Sequence, residues 1–142
     1  MIYAILGQVG MFKMVRRYTS CNNWVVGHAH VGVLGFAGMI ALGGLYFILP
    51  RITGKPLYSR FLADLQYWLV FLGTIGFTTV LTIVGLIQGN AWLNGEMIYR
   101  VLPELQIYYI IRAAVGLTVF VSALLGLYNI VRSLYFNPGE AA

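Results

Sequence analysis

Apolar residues run almost without interruption through three stretches of this chain: Trp24 to Leu49, Leu65 to Ala91, and Leu105 to Val131. Each exceeds the roughly 20 apolar residues that a helix needs to cross a bilayer. Strands of a membrane barrel would be only about 10 residues long and would alternate strictly, a pattern absent here. The hydrophobic pattern therefore predicts an all-α integral membrane unit with three transmembrane helices, spanning about 24–49, 65–91 and 105–131 within a single unit over 1–142. "PRITGKPLYSR" (50–60) and "NAWLNGEMIYRVLP" (90–103) carry the prolines, asparagines and charges of short turns, so consecutive helices run antiparallel. The tail "FNPGEAA" reads as frayed, and "MIYAILGQVGMF" (1–12) is too short to span.

Composition agrees with this pattern. The 142 residues are 60% hydrophobic and only 9% charged, with a mean hydropathy of +0.82, whereas soluble domains carry about a quarter charged residues. The net charge of +5 in a soluble protein would suggest nucleic acid. Here the basic residues flank the spans, where lipid head groups account for them, and no nucleic-acid partner is expected. Arg51, Lys55, Arg60 and Arg132 lie on one face, and Lys13, Arg16, Arg17 and Arg100 on the other. The positive-inside rule is thus tied, and only the two connections taken alone place 50–62 in the cytoplasm. The twelve apolar N-terminal residues precede their basic cluster instead of following one, which argues against a signal peptide. Cys21 is the sole cysteine, so no internal disulfide forms, and the thiol reads as buried or interfacial.

Tyrosines aside, the three spans contain only three ionisable side chains: His28, His30 and Arg112. Ionisable groups inside a membrane point to function. In a strand, a His-x-His pair would share one face and chelate one metal. In a helix each residue turns about 100°, so His28 and His30 leave about 200° apart and do not readily hold one ion. They can instead each supply a single axial imidazole to a separate planar cofactor, as haem requires. The competing reading makes them interfacial polar residues beside the aromatic belt marked by Trp24. Arg112 lies on the same side as the pair, because the first and third spans are parallel. It calls for anions, which haem propionates would supply; the alternative is that it snorkels to the interface or meets Glu104. Glycines crowd "GHAHVGVLGFAG" more densely than helix packing alone asks. Gln66 and Gln88 read as interhelical hydrogen-bonding groups, and Tyr46, Tyr58, Tyr67 and Trp68 as belt or packing aromatics without assigned chemistry.

"NWVVGHAHVGVLGFAGMIALGGLYFILPRITGKPLYS" resembles the tenth helix and following loop of subunit I of the cbb3-type (C-family) haem-copper oxidases. "LQYWLVFLGTIGFTTVLTIVGLIQGNAW" and "YYIIRAAVGLTVFVSALLGLYNIVRSL" resemble helices eleven and twelve, so the likeness covers about residues 12 to 135 of a bundle of about twelve helices. The most specific element is W-x-x-G-H-x-H-x-G-x-x-G. The resemblance implies that His28 binds the high-spin haem iron and that His30 is one of two axial ligands of the low-spin haem b. It makes Arg112 a haem-propionate partner. It further implies electron flow from a periplasmic cytochrome c, or c-type cytochrome subunits, through the low-spin to the high-spin haem. Oxygen would be reduced to water there, with proton pumping across the bacterial inner membrane. The histidine side becomes periplasmic and 50–62 cytoplasmic, leaving Lys13, Arg16 and Arg17 on the less usual side.

With two histidines in all, the second low-spin ligand, the copper ligands and the active-site tyrosine are expected from the remaining N-terminal helices of subunit I. The isolated chain is therefore not expected to be an oxidase. It reads as part of a split subunit or as a truncated gene, with 1–12 resembling the end of helix nine. A nitric oxide reductase catalytic subunit, with non-haem iron replacing copper, is the alternative within the superfamily. A small non-catalytic membrane subunit is the alternative outside it.

Overall fold

The computed structural model describes residues 13–136. The segment 1–12 lies outside the described residues, as does the frayed end expected at 136–142 apart from Phe136, whose backbone closes a helical stretch. The chain is an all-α membrane protein in which, among the described residues, three helices are long and apolar enough to cross a bilayer. A short helix α1 (Lys13–Thr19) precedes α2 (Asn23–Thr53), α3 (Arg60–Leu93) and α4 (Ile98–Val131).

The long helices run past the apolar stretches at every end except the last, where α4 and its stretch both stop at Val131. α2 continues through Pro50 to Thr53, where Gly54 at φ +65° supplies the left-handed residue that ends many helices. α3 starts at Arg60, with Ser59 as its N-cap accepting from the Leu62 amide at 3.3 Å, and α4 begins five residues before Pro103. The connections expected at 50–60 and 90–103 therefore shrink to residues 54–59 and 94–97. Apolarity marks the part of a helix suited to hydrocarbon, whereas caps and turn glycines mark where the backbone stops, and these two limits differ here by up to about two turns. Gly95 at φ +71° makes the second turn.

α3 is the central helix. In its most apolar window 44% of residues are buried, against 0% for α2 and 11% for α4. Against α4 it builds a small core of Val84, Ala91, Val101 and Leu105. Polar side chains bind the helices at both ends, as buried groups in hydrocarbon must be satisfied by protein. On the C-terminal side, Asn129 and Ser59 exchange bonds: Asn129 Nδ2 donates to the Ser59 carbonyl at 3.0 Å, and the Ser59 amide donates to Asn129 Oδ1 at 3.1 Å. The Tyr58 amide donates to Ser133 Oγ at 2.8 Å and Lys55 Nζ to the Leu134 carbonyl at 2.8 Å. The first connection and the end of α4 thus share one face, as antiparallel packing requires. Nearby, Ser122 Oγ donates to the Gln66 carbonyl at 3.1 Å and Tyr46 OH to Gln66 Oε1. Gln66 holds three helices together, the interhelical role expected of it.

The glycines divide into two groups. At Gly27 an added Cβ would lie 3.1 Å from the Leu81 Cβ, and at Gly73 2.6 Å from a Val119 methyl, whereas Gly32, Gly43 and Gly44 face open space. The closest approaches to another backbone are on α3, where a Cβ at Gly85 would collide with the backbone of Trp24 and one at Gly89 with the Tyr18 carbonyl. Backbone cannot yield as a side chain can. Gly85→Ala is expected to destabilise the folded assembly by about 1–3 kcal/mol. Gly76→Ala, which meets only a Val115 methyl at 3.2 Å, is expected to cost less; thermal unfolding of the two variants side by side checks the order.

Candidate functional site

α2 begins with its N-cap, Asn22, one of the more heavily bonded residues in the structure. Asn22 Oδ1 accepts from the Trp24 amide at 3.0 Å, while Nδ2 donates to the Gly85 carbonyl of α3 at 2.9 Å and to the Tyr18 carbonyl at 2.5 Å. Asn23 adds a second clasp: its amide and its Nδ2 both donate to Gln88 Oε1, each at 3.1 Å. The start of α2 is therefore fixed in position and in rotation against α3. Gln88 performs the interhelical bonding expected of it. Cys21, placed in this turn at φ +58°, is exposed and not buried, because the turn that sets Asn22 inward rotates its neighbour outward.

From this anchor the helix is regular α through His30, so the rotation of about 200° between His28 and His30 applies. Their surroundings differ accordingly. The His28 ring stacks on Trp24 one turn earlier, with centroids 5.3 Å apart and planes within 2°. His30 instead meets Phe77 of α3 at 4.9 Å, with the rings tilted by 43°. His30 Nδ1 lies 2.7 Å from the Val26 carbonyl. A carbonyl only accepts, so Nδ1 carries the proton and Nε2 is the nitrogen with the lone pair. This tautomer suits a metal ligand, and the backbone bond fixes the ring's orientation. Both residues are half-buried, near the surface of a chain whose apolar flank lies open.

Immediately after His30 the helix widens: Val31–Gly38 is a π-helical stretch. Such stretches are rare and gather at functional sites. "VGVLGFAG" has three glycines and one alanine in eight residues, which removes the side-chain crowding that would resist the wider turn.

Arg112 joins the histidine end of α2 through an intermediary. Its guanidinium lies over the Tyr109 ring, 5.4 Å from the centroid, a cation–π distance. The Tyr109 hydroxyl accepts from Asn23 Nδ2 at 3.3 Å and from Gln88 Nε2 at 3.2 Å. The same two residues that fix the start of α2 thus carry the ring on which Arg112 rests. Sequence reasoning placed Arg112 on the correct end but missed Tyr109. The one available signal was its spacing, three residues before Arg112 and so on the same helix face.

Among the described residues no three His, Cys, Asp or Glu side chains gather where they could hold a metal ion. What the arrangement offers is single imidazoles on different sides of one helix, with a cation nearby. That donor set fits haem, whose iron takes imidazole axially and whose propionates take a cation.

Residues 2–134 match the family described as Cytochrome C and Quinol oxidase polypeptide I. The "Cytochrome c oxidase subunit 1 homolog" of Agrobacterium tumefaciens (strain T37) is 30% identical over 94% of this chain and 26% of its own length. The bacteroid homologue of Bradyrhizobium diazoefficiens is 30% identical, with the same coverage of 94% and 26%. The "Cbb3-type cytochrome c oxidase subunit CcoN1" of Stutzerimonas stutzeri is 26% identical over 90% of this chain and 29% of its own length. The chain thus spans about a quarter of the length of these relatives.

Tyr109→Phe keeps the ring under Arg112 and deletes the hydroxyl that meets Asn23 and Gln88. A loss of about 1–2 kcal/mol is expected. Combined with Gln88→Leu, the penalty should be less than the sum of the two, as shared partners require; thermal unfolding of the single and double variants measures it.

Proposed function

The chain belongs to the Cytochrome C and Quinol oxidase polypeptide I family, and on that premise we propose that it is the haem-carrying C-terminal part of subunit I of a cbb3-type terminal oxidase. The complete enzyme would be an oxidoreductase of a bacterial inner membrane. It would oxidise cytochrome c, reduce oxygen to water and pump protons, with the histidine end of α2 on the periplasmic side. His28 is the ligand for the high-spin haem iron. His30 is one of two axial ligands for the low-spin haem b, and Arg112 is the partner of a haem propionate. The second low-spin ligand and the copper ligands come from the remaining N-terminal helices of subunit I, and electrons arrive from c-type cytochrome subunits or cytochrome c.

When bound, haem supplies the one-electron and oxygen chemistry that the side chains of this chain cannot perform. The contribution of the chain is placement. Because Asn22, Asn23 and Gln88 fix the start of α2, the imidazoles of His28 and His30 are oriented before any cofactor binds, which reduces the ordering cost of binding. The bond from His30 Nδ1 to the Val26 carbonyl keeps the proton off Nε2 and holds that nitrogen available as a donor. Because His28 and His30 leave α2 on different sides, each would hold its own cofactor, one on either side of the helix. The guanidinium of Arg112 holds its charge over Tyr109, where it would stabilise an ionised carboxylate and lower that group's proton affinity.

The single observation that carries this reading is the His30 geometry: a proton-bearing Nδ1 fixed to backbone and a lone-pair Nε2 on the opposite edge of the ring. In the assembled complex, His30→Ala is expected to abolish the low-spin haem b signal in reduced-minus-oxidised spectra. His28→Ala should leave that signal and remove oxygen reduction. A His30→Ala spectrum unchanged from the parent would refute the assignment.

A further inference from the structure

Four threonines lie on α3, and their hydroxyls divide by direction. Thr79 Oγ1 donates to the Ile75 carbonyl at 2.8 Å and Thr82 Oγ1 to the Thr78 carbonyl at 2.8 Å, the usual way for a threonine to satisfy itself in an apolar helix. Thr74 and Thr78 do not. They are 7% and 3% exposed, and neither Oγ1 has a hydrogen-bonding partner among the described residues. A buried hydroxyl left in that state costs about 1–3 kcal/mol. Two on one helix, with the back-bond available and not taken, point to something else that satisfies them.

Both residues line a cavity of about 310 Å³ between α3 and the π-helical stretch of α2. Val31, Gly35, Phe36 and Met39 form its α2 wall, and Phe71 and Ile75 complete its α3 wall. The walls are apolar except where Thr74, Thr78 and Thr79 face in. An occupant at that polar edge must be small and must bond at two points. Threonines four apart on a helix set their Cβ atoms about 5–6 Å apart. A water making two bonds of about 2.8 Å bridges oxygens about 4.5–5.5 Å apart. Buried waters make about three hydrogen bonds, and the Thr79 oxygen, whose proton is already committed to Ile75, supplies a third point as acceptor.

We propose that this cavity is a hydration site within the membrane, with an ordered water bridging the Thr74 and Thr78 hydroxyls. The site lies just inside the histidine pair. Thr78 packs beside Gly27, and Thr74 packs beside Gly35 within the π stretch, so the water sits against the widened part of the helix that carries both imidazoles. The rest of the cavity is too apolar to hold liquid water. The inference stands on the two hydroxyls and the cavity, and does not depend on what the histidines bind.

Threonine-to-valine substitution tests it, because it deletes the hydroxyl and keeps the shape. In the native membrane assembly, Thr74→Val and Thr78→Val are each expected to raise the rate of thermal inactivation, followed by tryptophan fluorescence, about threefold to tenfold. The double variant should be hardly worse than either single one, since one bridging ligand is lost in every case. Thr74→Ser and Thr78→Ser retain the hydroxyl and should restore most of the loss. A density map of the assembly should show an isolated feature within about 3 Å of both oxygens. Valine variants as stable as the parent or more so would overturn the proposal, since they would mean that nothing satisfies the hydroxyls. A side chain from another helix filling the polar edge would overturn it equally.

Discussion

The close contact of backbone with backbone where residues 18–24 cross α3 is the constraint on which the rest of the structure depends. Gly85 and Gly89 have no side chains to hold the crossing segment away. Asn22 can therefore reach the Gly85 carbonyl, and Asn23 can reach Gln88. These bonds fix the rotation of α2 at its first turn. In a regular helix that rotation propagates without slack, so the directions of His28 and His30 follow five and seven residues later. The α2–α3 crossing is in this sense part of the site, although none of its residues is a candidate ligand.

The helices divide the work unequally. α3 is the most buried and holds both neighbours, through Asn22, Asn23 and Tyr109 at one end and through Ser122, Tyr46 and Asn129 at the other. α2 is the least buried and carries the histidines. A helix with one well-packed edge and an open remainder can present ligands in two directions, which a helix buried all round could not. Hydrophobic association is weak between helices in lipid, so polar clasps and glycine contacts have to supply the specificity. The polar clasps lie towards the ends of the spans, and the middle of the α2–α3 seam is left to the π stretch and its cavity.

Much of this was legible in the sequence. Three spans, their antiparallel order and the all-α membrane class follow from uninterrupted apolar runs bounded by turn residues. Helix limits did not, because Thr53, Leu93 and Ile98 lie beyond the apolar runs and only local turn and capping geometry ends the backbone there. His28, His30 and Arg112 stood out as candidates because an ionisable group in an apolar run is costly. Their divergence needed only the helical period. Tyr109 was hidden, since a tyrosine near a membrane surface suits the aromatic belt equally well, and its bonds to Asn23 and Gln88 join positions 86 and 21 residues away. The π stretch was hidden as well: "VGVLGFAG" announced close packing by its glycines, but small residues permit a wider helix without dictating one. Gly89 was overlooked because a glycine near a span's end gives no sign of the carbonyl that lies against it.

The central claim is that one rigidly anchored helix presents His28 and His30 to two different metal centres. A density map of the native assembly that resolves both imidazoles tests this most directly. The account predicts two separate irons on opposite sides of α2, each about 2 Å from the Nε2 of one histidine, with His30 Nδ1 still bonded to the Val26 carbonyl. A single metal bridging the two rings, or two rings facing lipid with no metal at either, would contradict it.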